Sequence, residues 1–85
     1  MITLSRRKSN VHAELAVLRV LAPGGQLSVI QLARQTDLGG WAVRTAIGYL
    51  DERGLLVPTY DRQCWRITPR GREALVHAQE VQRER

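Results

Sequence analysis

The chain has 85 residues, 44% hydrophobic and 25% charged, enough for one small core that buries roughly 60–65% of the unfolded surface and too little for a deep enzyme cleft. No apolar run reaches the ~20 residues of a membrane span. Thirteen Lys and Arg against eight Asp and Glu leave a net charge of +5, a balance that attracts polyanions, meaning nucleic acid or an anionic membrane surface.

The opening residues, Met1 to Lys8, have no apolar region of the secretory kind. The single cysteine excludes an intrachain disulfide, a Cys-rich zinc site and a CxxC redox motif. A cytoplasmic location is expected. Residues 1–9 carry Arg6, Arg7 and Lys8 without a sustained period and form a basic N-terminal arm, for which a solvated tail is the plainer reading; residues 10–85 form one domain. Its first helix is expected from Asn10 or Val11 to Ala22, capped by Ser9 or Asn10 and ended by Pro23-Gly24-Gly25. Val11, Leu15, Leu18 and Ala22 line one face and Ala13, Val17 and Val20 another, interrupted only by His12, Glu14 and Arg19. A helix apolar on two sides lies between neighbours, so it is the central helix or one of its faces meets a second copy.

Gln26-Leu27 reads as a short extended link. Ser28-Val29-Ile30-Gln31 is a capping-box sequence opening a second helix that runs to about Thr36. Asp37-Leu38-Gly39-Gly40 breaks it, because Asp tolerates the left-handed conformation and Gly accepts it freely. The third helix covers about Gly40 or Trp41 to Arg53, with Gly54 placed as a terminating glycine. Val43, Ala46, Ile47 and Leu50 share its inner side; Trp41, Thr45, Gly48 and Glu52 share the opposite one, flanked by Arg44 and Tyr49.

After Gly54 the period becomes strand-like. Leu55 to Tyr60 and Cys64 to Ile67 flank Asp61-Arg62-Gln63 as a hairpin, with Trp65 and Ile67 on one face and Cys64 and Arg66 on the other. Thr68-Pro69 supplies a cap and a first-turn proline for a last helix to about Glu84, burying Ala74, Leu75, Ala78 and Val81. The order is helix, short strand, helix, helix, two-stranded hairpin, helix: mainly α with a small β-hairpin, an α+β class.

Ala33, Asp37-Leu38 and Val43 supply the small residue, left-handed turn and buried β-branched residue of a helix-turn-helix. Together with Leu50-Asp51-Glu52-Arg53-Gly54-Leu55-Leu56 and the closing Trp65-Arg66-Ile67-Thr68-Pro69-Arg70-Gly71-Arg72-Glu73-Ala74-Leu75, the chain resembles a prokaryotic winged helix-turn-helix domain of the MarR-like and PadR-like transcriptional regulators. The resemblance covers about residues 10–82. It implies double-stranded DNA as partner, helix three in the major groove, and the hairpin wing on the backbone or adjacent minor groove. On this chain, Gly39 and Gly40 would bring backbone N–H groups towards phosphate. Trp41, Arg44, Thr45 and Gly48 would face bases, Arg44 through a fork suited to guanine or phosphate. Arg34 would clamp the backbone, Tyr60, Arg62 and Gln63 would form the wing tip, and Arg6, Arg7 and Lys8 could act as a groove-reading arm. A repressor of this kind reads two half-sites as a dimer. A homodimer is expected to use helix one's second face or helix four, where Val76 stands among polar residues, because the chain lacks the long dimer helices that MarR-like proteins carry.

Trp41 and Gly48 depart from the usual polar groove face. Trp41 has three readings, in order: a core residue folded over the turn, a DNA contact at a sugar or thymine methyl, and a partner contact. Gly48 costs up to ~1 kcal/mol against Ala in a helix, which suggests close approach by DNA or another chain. A winged-helix protein–protein interaction module, using Trp41, Gly48 and Tyr49, is therefore the alternative function; a replication or recombination accessory without sequence preference is a further one. Cys64, near Arg62 and Arg66, could be a redox-sensing thiol, although an incidental small residue is the commoner case. His12 and His77 have no ligand cluster around them, so no metal is expected, and no cofactor. Asp51 and Glu52 lack a base, nucleophile or pocket, so no catalytic residues and no enzymatic activity are expected.

Overall fold

The computed structural model describes residues 11–83. Four helices and a two-stranded antiparallel hairpin follow in the order α1 (Val11–Leu21), α2 (Val29–Thr36), α3 (Gly40–Glu52), β1 (Leu56–Pro58), β2 (Trp65–Ile67) and α4 (Pro69–Arg83). The expected mainly helical α+β architecture is the one observed. The arm residues Arg6, Arg7 and Lys8, and the caps Ser9 and Asn10, lie outside the described residues.

Helix α1 is central, packed against α2, α3, α4 and β2. Ala13, Leu15, Val17, Leu18 and Leu21 are buried along it, and they meet Leu32 of α2, Leu75 of α4 and the inner face of α3. Val11 is exposed, so the face expected to begin there begins one turn later. Glu14 is also buried, with 8% of its surface accessible, and its carboxylate lies 3.7 Å from Arg53 at the end of α3. The expected short strand at Gln26-Leu27 is a single bridge, in which Leu27 and Trp65 exchange N–H···O bonds of 3.2 and 2.8 Å. Trp65 thereby spends both main-chain groups on Leu27. Pro58, its partner across the hairpin, has no N–H to offer, and none is needed there.

Local chemistry sets the helix ends. The Ser28 hydroxyl accepts from the Gln31 N–H at 3.2 Å, and the Ser28 N–H donates to the Gln31 side chain at 2.9 Å, completing the capping box. Asp37 takes the left-handed conformation at φ 62°. Helix α3 closes with a Schellman arrangement: Gly54 at φ 77° donates to Asp51 C=O at 3.0 Å and Leu55 to Leu50 C=O at 2.9 Å. The Arg72 guanidinium donates to Ala22 C=O beyond the end of α1.

The junction between β2 and α4 is closely packed main chain. The Thr68 hydroxyl donates to Gly54 C=O at 2.7 Å and accepts from the Gly71 N–H at 3.0 Å, while the Thr68 N–H donates to Leu55 C=O at 3.1 Å. A Cβ at Gly71 would overlap the Leu55 carbonyl oxygen and crowd Ile67. Further along α4, Leu75 is buried and Ala74 and Ala78 are half-buried, but Val81 is half exposed, contrary to expectation; among the described residues α4 packs mainly on α1 and β2. Gly71→Ala should therefore destabilise the fold by about 2–4 kcal/mol, a main-chain oxygen being unable to move as a side chain can; urea denaturation followed by circular dichroism reads this as an earlier midpoint.

Candidate nucleic-acid interface

Helix α3 is two-sided. Val43, Ala46, Ile47 and Leu50 are at most 4% exposed and fix it against α1 and α2. The other side carries Trp41, Arg44, Thr45, Gly48 and Glu52, at the i, i+3, i+4, i+7, i+11 spacing of one helical face. Trp41 is 65% exposed. This overturns the reading of Trp41 as core; in the turn before it, Leu38 is the residue that packs, half-buried, against the core. Arg44 is exposed and makes no ion pair among the described residues. Thr45 is half-buried and its hydroxyl donates to Trp41 C=O at 2.8 Å.

The start of α3 is bare backbone. Gly39 caps it without a side-chain hydrogen bond, so the first-turn N–H groups have no acceptor from a capping side chain. Gly39 and Gly40 have ordinary φ, and a Cβ at either would meet nothing within 4 Å. The protein's own packing thus does not require glycine there. The same holds for Gly48, which floors an open hollow of about 290 Å³ lined by Thr45, Tyr49 and Glu52. Arg34, in the last turn of α2, is exposed.

The hairpin tip presents Tyr60, Arg62 and Gln63, all exposed, with Tyr60 as open as in an unfolded chain. Its turn is held from within by Asp61, whose carboxylate accepts from the Thr59 hydroxyl at 2.7 Å and the Gln63 N–H at 3.2 Å. These bonds, the Thr59 one foremost, hold the Asp61 carboxyl below its usual pKa. The Thr59 hydroxyl in turn accepts from the Cys64 N–H at 3.2 Å. Arg62 is left at φ 62°, a left-handed conformation that a long side chain seldom adopts. Cys64 is half-buried. The sequence-expected residues thus lie on three exposed elements: the end of α2, the outer face of α3 and the hairpin tip. Glu14 with Arg53, Gly71 and Arg72 were not anticipated; Glu14 could have been read from its place within the apolar stripe of α1.

Solved structures share this arrangement. The transcriptional regulator BldR of Sulfolobus solfataricus superimposes with a TM-score of 0.75 at 23% identity, over 95% of this chain and 61% of that one. A MarR family protein of Mycobacterium tuberculosis gives 0.74 at 28% identity, over 95% and 60%. The chain thus has the winged helix-turn-helix fold of these MarR-like regulators. BpsR of Bordetella bronchiseptica, whose DNA binding is regulated by 6-hydroxynicotinic acid, gives 0.70 at 26% identity, over 85% of this chain and 58% of that one. The chain spans about three fifths of each of these proteins. No protein-family model and no curated protein matches it. Among the described residues of the winged helix-turn-helix, no group of three or more His, Cys, Asp or Glu could hold a metal ion, and no helix is long and apolar enough to cross a membrane.

Three substitutions at two positions test the site's backbone. Gly48→Ala should raise stability by about 0.5–1 kcal/mol, since the new methyl meets open space in a helix interior. At the wing tip, Arg62→Gly should change stability by less than about 1 kcal/mol, relief of strain offsetting the freer unfolded chain. Arg62→Val should cost about 1–2 kcal/mol, because a branched Cβ fits the left-handed conformation worst. Thermal unfolding of the three variants beside the parent protein checks the signs.

Proposed function

We propose that the domain is a cytoplasmic duplex DNA-binding transcriptional regulator, not an enzyme, that lays α3 in the major groove and the wing on the backbone or adjacent minor groove. The observation that carries this reading is the outer face of α3. The helix following a helix-turn-helix bend is locked to the core on one side, and on the other holds Trp41, Arg44 and Gly48 open to solvent. Arg44 is the polar base reader, its fork suited to guanine O6 and N7. Gly39 and Gly40 let phosphate approach the uncapped N–H groups at the start of α3. Arg34 clamps the backbone before the turn.

Arg62 supports the same reading. The tip holds a guanidinium in a conformation where Gly or Asn would be unstrained, and an observed outlier of this kind is a pointer to function. Arg6, Arg7 and Lys8 add charge for the same polyanion. A homodimer would present two α3 helices to half-sites about one helical turn apart, acting as a repressor by occluding polymerase. The regulated DNA binding of BpsR supports the assignment at the level of the fold's use.

Fluorescence anisotropy of a labelled mixed-sequence duplex tests it. With roughly four to eight phosphate contacts, affinity should fall by about two to four orders of magnitude between ~50 and ~200 mM salt. Arg44→Ala should cost about 1–3 kcal/mol and relax preference at one base pair, while Arg62→Ala should weaken all sequences alike. A folded sample that binds no duplex at the lower salt would overturn the reading.

A further inference from the structure

Resting on the major-groove reading above, we infer that Trp41 and Thr45 form an apolar reader of thymine 5-methyl groups, making the preferred duplex one with thymines at the positions that meet the first two turns of α3. Thr45 is the deciding residue. Its hydroxyl donates to Trp41 C=O at 2.8 Å, which spends its only donor on the helix's own backbone. With no O–H left to donate, Thr45 offers a base edge its methyl and the acceptor side of its oxygen, and the methyl is its apolar contact. Trp41 lies one turn earlier on the same face, and its indole is 65% exposed. Two consecutive turns of the helix thus offer apolar surface at positions where polar side chains would otherwise read hydrogen-bond patterns.

Gly48 lets that surface be reached. No atom lies within 4 Å of a Cβ built there, and the hollow beside it is walled by Thr45, Tyr49 and Glu52. Glu52 is among its lining residues and its carboxylate repels phosphate, so in the major-groove reading the occupant is a base edge. In the major groove the one apolar group on any base edge is the thymine 5-methyl. Arg44, on the flank, supplies the polar contact that fixes register.

The test uses duplexes selected by the protein from a random-sequence pool, each prepared once with thymine and once with deoxyuridine throughout. The two differ only in the 5-methyl groups. The thymine form should bind at least about four-fold more tightly, roughly the effect of burying one methyl. Thr45→Ser keeps the hydroxyl hydrogen bond and removes only the side-chain methyl. It and Trp41→Ala should each shrink the ratio towards one while the salt dependence persists. Equal binding of the two forms by the parent protein, with normal salt dependence, would overturn the methyl reading alone. A preference for thymine that neither variant reduces would overturn the assignment to Trp41 and Thr45. Absence of any duplex binding by folded protein would remove the DNA-binding reading itself, and this inference with it.

Discussion

The Leu55 carbonyl accepts the Thr68 N–H at 3.1 Å while the first turn of α4 passes so close that Gly71 has no room for a methyl. Around this contact three chain segments meet. Gly54 ends α3, Leu55 leads into the hairpin, and Thr68 ties the far end of the hairpin back to Gly54 through its hydroxyl. The end of α3, the base of the wing and the start of α4 are therefore one knot of hydrogen bonds, made by main chain and the Thr68 hydroxyl. A two-stranded hairpin of three-residue strands is marginal in water on its own. Here it holds because both its ends are fastened to helices, and because Leu27 adds a third chain beside β2.

With the knot in place, α3 needs no help from its outer side. Its inner residues, at most 4% exposed, provide the anchoring, and Arg53 reaches the buried Glu14 from the helix end. The outer stripe carries no structural duty, and this allows an exposed indole and a helix-interior glycine that a protein selected for stability alone would discard. The wing tip follows the same logic by other means. Thr59, Asp61 and the Arg62 N–H hold the turn rigid, so a strained arginine can be held outward.

The helix ends were legible in the sequence because their causes are local. Ser28 with Gln31, Asp37, Gly54 and Thr68-Pro69 each act on residues within one turn. The α3 stripe was equally legible, being set by the helical period. Trp41 was not, since whether an aromatic is covered depends on a neighbour that the local pattern does not specify, and here the indole is left 65% exposed. Val81 failed for a related reason: the helical period along α4 does not say which of its turns the described elements cover, and Val81 is half exposed. The left-handed Arg62 follows from the Asp61 cage rather than from a Gly or Asn marker. Gly71 owes its place to a chain sixteen residues earlier in sequence, at Leu55, a distance over which composition carries no signal.

Pro58 has a consequence for how the protein behaves among its own copies. The hairpin projects exposed Val57 and Tyr60, and an open strand bearing such residues would invite a second hairpin to pair along it. On one side β2 is already occupied, by β1, and on the other by Leu27, whose neighbours are the Gly24-Gly25 turn and the start of α2. The remaining margin is β1, three residues long, and one of those is a proline that cannot donate to an incoming chain. The wing can thus extend a bare, sticky tip into solvent at high concentration without templating the strand-by-strand association that leads to fibres.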